Sequence, residues 1–109
     1  MIGIDEPWSV CIAFVMFKDL PEGKRRPAVI LQNDGKNCRI LPITSKVKDE
    51  VHYYRLIHWE YANLDVPSFV KLNLIEIPTA DIDKIIGKLA AEDIKNIMFE
   101  MAHGTSPFD

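Results

Sequence analysis

Asn33-Asp34-Gly35 stands between two strand-like runs, Ala28 to Gln32 and Asn37 to about Thr44, and it constrains the fold more than any other stretch. An Asn/Asp-Gly pair supplies the residues that a tight hairpin turn requires, so the runs it joins are antiparallel neighbours. Pro27 opens the first of them, where a missing amide donor does least harm to a ladder. Upstream, Ser9 to Phe17 is almost wholly apolar and rich in β-branched and aromatic residues. Such a run predicts a strand buried on both sides. Lys18 to Arg26, with Pro21, Gly23 and several charges, reads as a polar loop that breaks regular structure. The first 45 residues therefore predict a three-stranded antiparallel sheet.

Further along, the pattern is shorter in range. Tyr53 to Ile57 alternates as a strand does, His58 to Ala62 fits a single helical turn, and Pro67 precedes a strand from Ser68 to Ile77. Thr79 to Asp83 reads as a short helical turn with Thr79 or Asp81 near its cap, and Ile85 to Leu89 as a last short strand. From Ala91 to Met101 the period changes. Ile94, Ile97, Met98 and Met101 fall at i, i+3, i+4 and i+7, one apolar stripe of a helix expected to lie on the sheet as a lid. Glu92 and Asp93 occupy its first turn, where the helix dipole favours acidic residues.

A chain of 109 residues, 48% hydrophobic, can bury a core of its own without disulfides or a structural metal. Residues 1–109 read as a single domain, without repeats or linkers. Apolar runs of about 5 to 9 residues are far short of the roughly 20 that cross a bilayer. The first residues lack the basic and apolar segments of a signal peptide. A soluble, cytoplasmic protein without membrane contact is the expectation. Cys11 and Cys38 sit alone in apolar runs, with no spacing that suggests a metal site, and are expected to be buried, reduced thiols.

Charge is unevenly distributed. Between Lys18 and Lys48 there are eight basic residues against three acidic, whereas from Asp49 to Asp109 there are five against eleven. The net charge of −3 argues against a protein that coats nucleic acid, but a local cationic patch can hold a polyanion at one place. Two strand ends fall within that patch. In an antiparallel pair the start of one strand faces the end of the next, so Arg26-Pro27 and Thr44-Ser45 should be neighbours at one edge of the sheet. A guanidinium beside hydroxyls, with Lys24, Arg25 and Lys46 around it, suits a phosphate. Taken alone, the pattern does not separate phosphate chemistry from an ordinary charged surface.

Lys24-Arg25-Arg26-Pro27-Ala28-Val29-Ile30-Leu31 followed by Leu41-Pro42-Ile43-Thr44-Ser45 resembles the paired signature of the MazF/PemK (Kid) toxins of type II toxin–antitoxin systems. The likeness continues through Leu64 to Leu74 and through Ile86-Gly87-Lys88-Leu89 with Glu92-Asp93-Ile94, spanning about residues 8 to 102 in order. The resemblance implies a mainly β fold with α, an SH3-like antiparallel barrel of the MazF/CcdB type with a C-terminal helix. It also implies a homodimer and cofactor-free, metal-independent endoribonuclease activity. Single-stranded RNA, as mRNA, would be cut to a 2′,3′-cyclic phosphate. A cognate antitoxin would neutralise the toxin, and operator DNA would be reached only through that antitoxin.

Carried over residue by residue, Arg26 would stabilise the crowded phosphorane, and Thr44 would hydrogen-bond the phosphate with Ser45 in support. Glu22 is the nearest equivalent of a first-loop carboxylate and the candidate base, with Asp19 as the fallback; Lys24, Arg25 and Lys46 would bind RNA. Where the family commonly begins its first strand with Gly and an acidic residue, this chain has Glu6-Pro7-Trp8. His52 and His58 lie outside the matched motifs and read as exposed or edge residues. Trp8, Trp59 and Tyr53-Tyr54 suit core packing or a dimer contact better than base stacking. The rival readings are a non-catalytic CcdB-like inhibitor that binds a protein such as gyrase, and an inactive barrel used for interaction.

Overall fold

The computed structural model describes residues 6–17, 20–47 and 52–104, with the side chains of residues 16–23 and 104 left out. Seven strands and one C-terminal helix follow one another: β1 (Ser9–Phe17), β2 (Leu20–Asn33), β3 (Asn37–Thr44), β4 (Tyr53–Arg55), β5 (Phe69–Lys71), β6 (Ile75–Pro78), β7 (Ile82–Lys88) and α1 (Ala91–Phe99). A 3-10 turn at Thr79–Asp81 joins β6 to β7, and Glu100–Gly104 extends α1 as a π-helical turn. The fold is mostly β and antiparallel, in the strand order β4-β5-β3-β2-β1-β7, with β6 pairing β3 as well.

The hairpin forms where the sequence places it. Gly35 takes φ 93°, and the Asp34 carboxylate accepts the amides of Lys36 and Asn37 at 2.8 and 2.7 Å. Those backbone donors hold the Asp34 carboxyl below its ordinary range. Two expectations change. β2 begins at Leu20, so much of the expected polar loop is strand, antiparallel to β1 with Val15 opposite Lys24 and Phe17 opposite Leu20. The expected strand from Ser68 to Ile77 is two strands, because β3 has different neighbours along its length. Its first half pairs β6 through Asn37↔Pro78 to Ile40↔Ile75, and its end pairs β5 through Ile43↔Val70 and Thr44↔Phe69.

Among the described residues, the sheet does not close by hydrogen bonding as a complete barrel would. Instead, β6 pairs β3 while β7 pairs β1, and the 3-10 turn carries the chain around the corner between them. The curved surface wraps Cys11, Ala13, Val15, Ala28, Ile30, Cys38, Ile40 and Ile77 into one core. The opposite face carries a second core, in which Val10, Val29, Leu41 and Ile43 meet Leu56, Val70, Leu89 and Ile97 of α1. Strand alternation sends neighbouring residues to different cores. Both cysteines are buried free thiols, and burial pushes them up to about 12 for Cys11 and about 11 for Cys38.

Gly87 has no room for a side chain. A Cβ there would lie 2.8 Å from the Ala62 carbonyl oxygen, while Asn63 Nδ2 donates to the Ile86 carbonyl at 2.7 Å. The segment 58–63 hydrogen-bonds as a helical turn, with the Ala62 amide on the His58 carbonyl, and ends at Asn63 in a left-handed conformation, φ 64°. Trp8 also takes a positive φ, 69°, a conformation that glycine adopts freely and tryptophan does not. Its amide donates to Ile30 at 2.7 Å and its carbonyl accepts the Leu89 amide at 3.0 Å, which holds the start of β1 against two neighbours.

The helix buries a different surface from the one its stripe predicts. Ile97 is fully buried and Ile94 half-buried, but Met98 and Met101 are exposed, with Phe99 beside them. Asp93, assigned only to the helix dipole, is fully buried.

Candidate functional site

β2 and β3 run as a ladder only from the hairpin to Ala28↔Pro42. Beyond that pair they part: β2 continues along β1, with Pro27 opposite Ile12 and Arg26 opposite Ala13, while β3 turns to β5. Pro27 explains the fork. The Ile30 carbonyl accepts the Trp8 amide beside β1, so strand alternation turns Pro27 toward β3, where it has no amide hydrogen to donate and the ladder stops. Two residues further on, the same register would set Arg26 opposite Thr44. Alternation gives both residues the face of Ala28 and Pro42. Past the last pair, Arg26 on β2 and Thr44 on β3 thus follow on that shared face.

Arg26 is half-buried, with its Nε shielded from solvent. Thr44 is half-buried too, and its hydroxyl is engaged: Oγ1 donates to the Lys46 carbonyl at 3.0 Å and accepts the Lys46 amide at 3.1 Å. It orders the turn that carries Ser45 and Lys46, both exposed. To donate to a bound phosphate, the hydroxyl must release the Lys46 carbonyl. Lys24 is exposed and lies on the Arg26 face, two residues along β2. Arg25, between them, belongs to the other face, where its guanidinium pairs with Asp83 of β7. Glu22 lies on β2, but its side chain is outside the described residues, as is all of Asp19.

The sequence from Ile12 to Ala102 matches the family model described as PemK-like, MazF-like toxin of type II toxin-antitoxin system. The chain belongs to this family. Its members are toxins that act in general as ribonucleases. A toxin of this kind, the Mycobacterium tuberculosis toxin MazF-mt6, has a similar fold, with a TM-score of 0.68 at 24% identity over 90% of this chain and 98% of that one. No curated protein matches by sequence. Among the described residues, no group of His, Cys, Asp and Glu could hold a metal ion, and no helix is long and apolar enough to cross a membrane.

The sequence reading missed what two residues do in this toxin fold. Asp93 accepts hydrogen bonds from the Tyr54 hydroxyl at 2.6 Å, the Ile57 amide at 2.9 Å and the His58 amide at 2.9 Å. Asn96 Nδ2 donates to the same Tyr54 hydroxyl at 3.0 Å. Burial, then the neighbouring Asp93, pushes that phenol up to about 12. The second is Asp83, which lies 58 residues from its partner Arg25. Trp8, Trp59 and Tyr54 pack against the second core, and Tyr53 meets Phe69 edge-on, as their core reading expects.

The histidines are not idle surface groups. His52 Nε2 lies 2.9 Å from Glu100 Oε1, and His58 Nε2 lies 2.7 Å from Glu92 Oε1, so both ends of segment 52–58 are tied to the C-terminal helix. The Glu92 hydrogen bond raises the His58 value above its ordinary 6.5. The resulting stabilisation is fully present below the unfolded histidine value and disappears as the pH rises through the raised folded one. NMR titration of wild type should therefore put His58 above 6.5, and Glu92→Gln should bring it back down. An unchanged titration in the variant would remove Glu92 as the cause.

Proposed function

We propose that this single toxin domain is a metal-independent endoribonuclease acting on single-stranded RNA in the cytoplasm. The β2–β3 fork supports the reading, because strand alternation gives Arg26 and Thr44 the face of Ala28 and Pro42, just past the last pair of the ladder. The reaction is transfer within the RNA. The 2′-hydroxyl oxygen forms a bond to the adjacent phosphorus, the bond from phosphorus to the 5′-oxygen breaks, and a 2′,3′-cyclic phosphate remains. A base must accept the 2′ proton, a cation must stabilise the phosphorane, and the leaving 5′-oxygen must gain a proton.

Arg26 is assigned to the phosphorane and the leaving group. Its partly buried guanidinium offers several N–H donors in a fixed plane, which suits the equatorial oxygens. Thr44, supported by Ser45, holds a phosphate oxygen once its hydroxyl leaves Lys46, and Glu22 is assigned as the base. Lys24 and Lys46 draw the RNA backbone to this site, with Arg25 on the opposite face of β2. A cognate antitoxin would block the same cationic surface. Two copies of the chain would join through the apolar surface beside α1, where Trp8, Leu31, Met98, Met101 and Ala102 line a cavity of about 410 Å³ and Phe99 is exposed.

Purified protein is expected to cut single-stranded RNA in the presence of EDTA, leaving cyclic phosphate ends that gel mobility and mass spectrometry identify. If RNAs of varied sequence stay intact while the protein captures a gyrase subunit, the non-catalytic reading replaces this one.

A further inference from the structure

Phe14 departs from the pattern of its strand. Ala13 and Val15 on either side are 0% and 1% exposed, whereas Phe14 is 39% exposed, although the sequence predicts burial on both faces. The position explains the exposure. On one side the β7 ladder along β1 ends at Ala13↔Ile82, and on the other the β3 ladder along β2 ends at Ala28↔Pro42. From Phe14 and Arg25 outward, β1 and β2 are a two-stranded ribbon with no described strand bonded to either edge. Phe14, Lys24 and Arg25 are exposed at its base.

Phe14 lies directly opposite Arg25 in the β1–β2 register, so their side chains share a face. Arg25 reaches Asp83, and a β-bulge accounts for this: Ile12 pairs with Lys84 and Ala13 with Ile82, which leaves Asp83 unpaired between them. Bulges re-aim side chains in this way. The result is a bare aromatic ring beside an ion pair that spans β1, with exposed Lys24 and Lys84 nearby.

We propose that Phe14, Arg25 and Asp83 form a subsite for one unpaired RNA base next to the cleaved phosphate, an inference that rests on the RNA-cleaving reading above. A base stacks on the exposed ring, as bases do on aromatic residues of single-strand binders. The ion pair sets N–H donors beside a carboxylate acceptor, and the pairing edge of every base sets an acceptor beside a donor. Guanine has two N–H groups on that edge for Asp83 and an oxygen for Arg25, so it is the base this subsite holds best. Arg25 and Arg26 are consecutive residues on opposite faces of β2. An RNA that sets its scissile phosphate at Arg26 must therefore cross the edge of the ribbon, on the order of one nucleotide, to lay the next base on Phe14.

The test is a cycle between protein and substrate. In steady-state cleavage of a short RNA by the full chain, Phe14→Ala should raise KM on the order of tenfold with kcat retained. An abasic residue at one position beside the cut should cost wild type a similar factor and cost Phe14→Ala almost nothing. Phe14→Trp should restore KM, Phe14→Leu should not, and Asp83→Asn should weaken the preference for guanine at that position. Additive losses, or full recovery with Leu, overturn the subsite. If wild type cleaves and Phe14→Ala matches it, the subsite alone fails, and the exposed ring belongs to a protein partner. If wild type cleaves no RNA, the reading beneath the subsite fails with it. Unchanged thermal unfolding of Phe14→Ala separates these outcomes from misfolding.

Discussion

Arg26→Ala is expected to lower the single-turnover rate of RNA cleavage by on the order of 10²- to 10³-fold while leaving thermal unfolding close to that of wild type. The expected size follows from where the guanidinium sits. The Arg26 backbone is held in β2 opposite Ala13, and its Nε is shielded from solvent, which restricts the guanidinium before substrate arrives. Preoriented donors favour the phosphorane over the ground-state phosphate, because charge accumulates on its oxygens only in the transition state. Arg26→Lys separates charge from geometry. It keeps a cation but loses the planar fork, so it should fall between wild type and alanine. An alanine variant cleaving within about threefold of wild type would remove Arg26 from the chemistry.

How far the site could be read from the sequence depends on the range of the contacts involved. The pairing of β2 with β3 as far as Ala28 and Pro42 follows from one tight hairpin, and Asn33-Asp34-Gly35 announces that hairpin in three residues. The fork that opens it was less visible, although Pro27 is its cause; which edge a strand-opening proline interrupts is not set until its partners are known. The first seven residues of β2 did not read as strand, because a ribbon with no described strand bonded to either edge needs no apolar periodicity, and Pro21, Gly23 and the charges there read as a loop. The break between β5 and β6 falls at Leu72-Asn73-Leu74, which lacks the glycine or proline that would mark it. The diversion of Arg25 was out of reach for another reason. It depends on a bulge in the β1–β7 register, and β7 lies more than fifty residues away along the chain. In the helix, the apolar stripe marked the element correctly but not its buried surface, since a charged residue, Asp93, takes a place in the interior.

Asp93→Ala should destabilise the fold by about 3–5 kcal/mol, the largest stability effect expected of any single polar residue here. The carboxylate is fully buried and joins three donors from segment 54–58: the Tyr54 hydroxyl, the Ile57 amide and the His58 amide. Without it, two backbone amides and a phenol lose their acceptor where solvent is largely excluded, and each such group costs about 1–3 kcal/mol. The helix also loses an acidic residue from its first turn. For a domain of this size the loss corresponds to a fall in Tm on the order of 20 °C, measured at one fixed protein concentration because association would shift the midpoint. Asp93→Asn tests the mechanism. It keeps the shape and one carbonyl acceptor but turns an N–H₂ toward donors, so it should be clearly destabilised yet less so than alanine. The same segment carries His58 and continues through Ala62 to the tight contact at Gly87, so the damage should spread to the β7 side of the sheet. Faster hydrogen exchange at Ile57, His58 and the β7 amides, with β2–β3 hairpin amides still protected, is the expected pattern. A Tm within about 5 °C of wild type would mean that the three donors find other acceptors, and Asp93 would not be what fixes this segment to the helix.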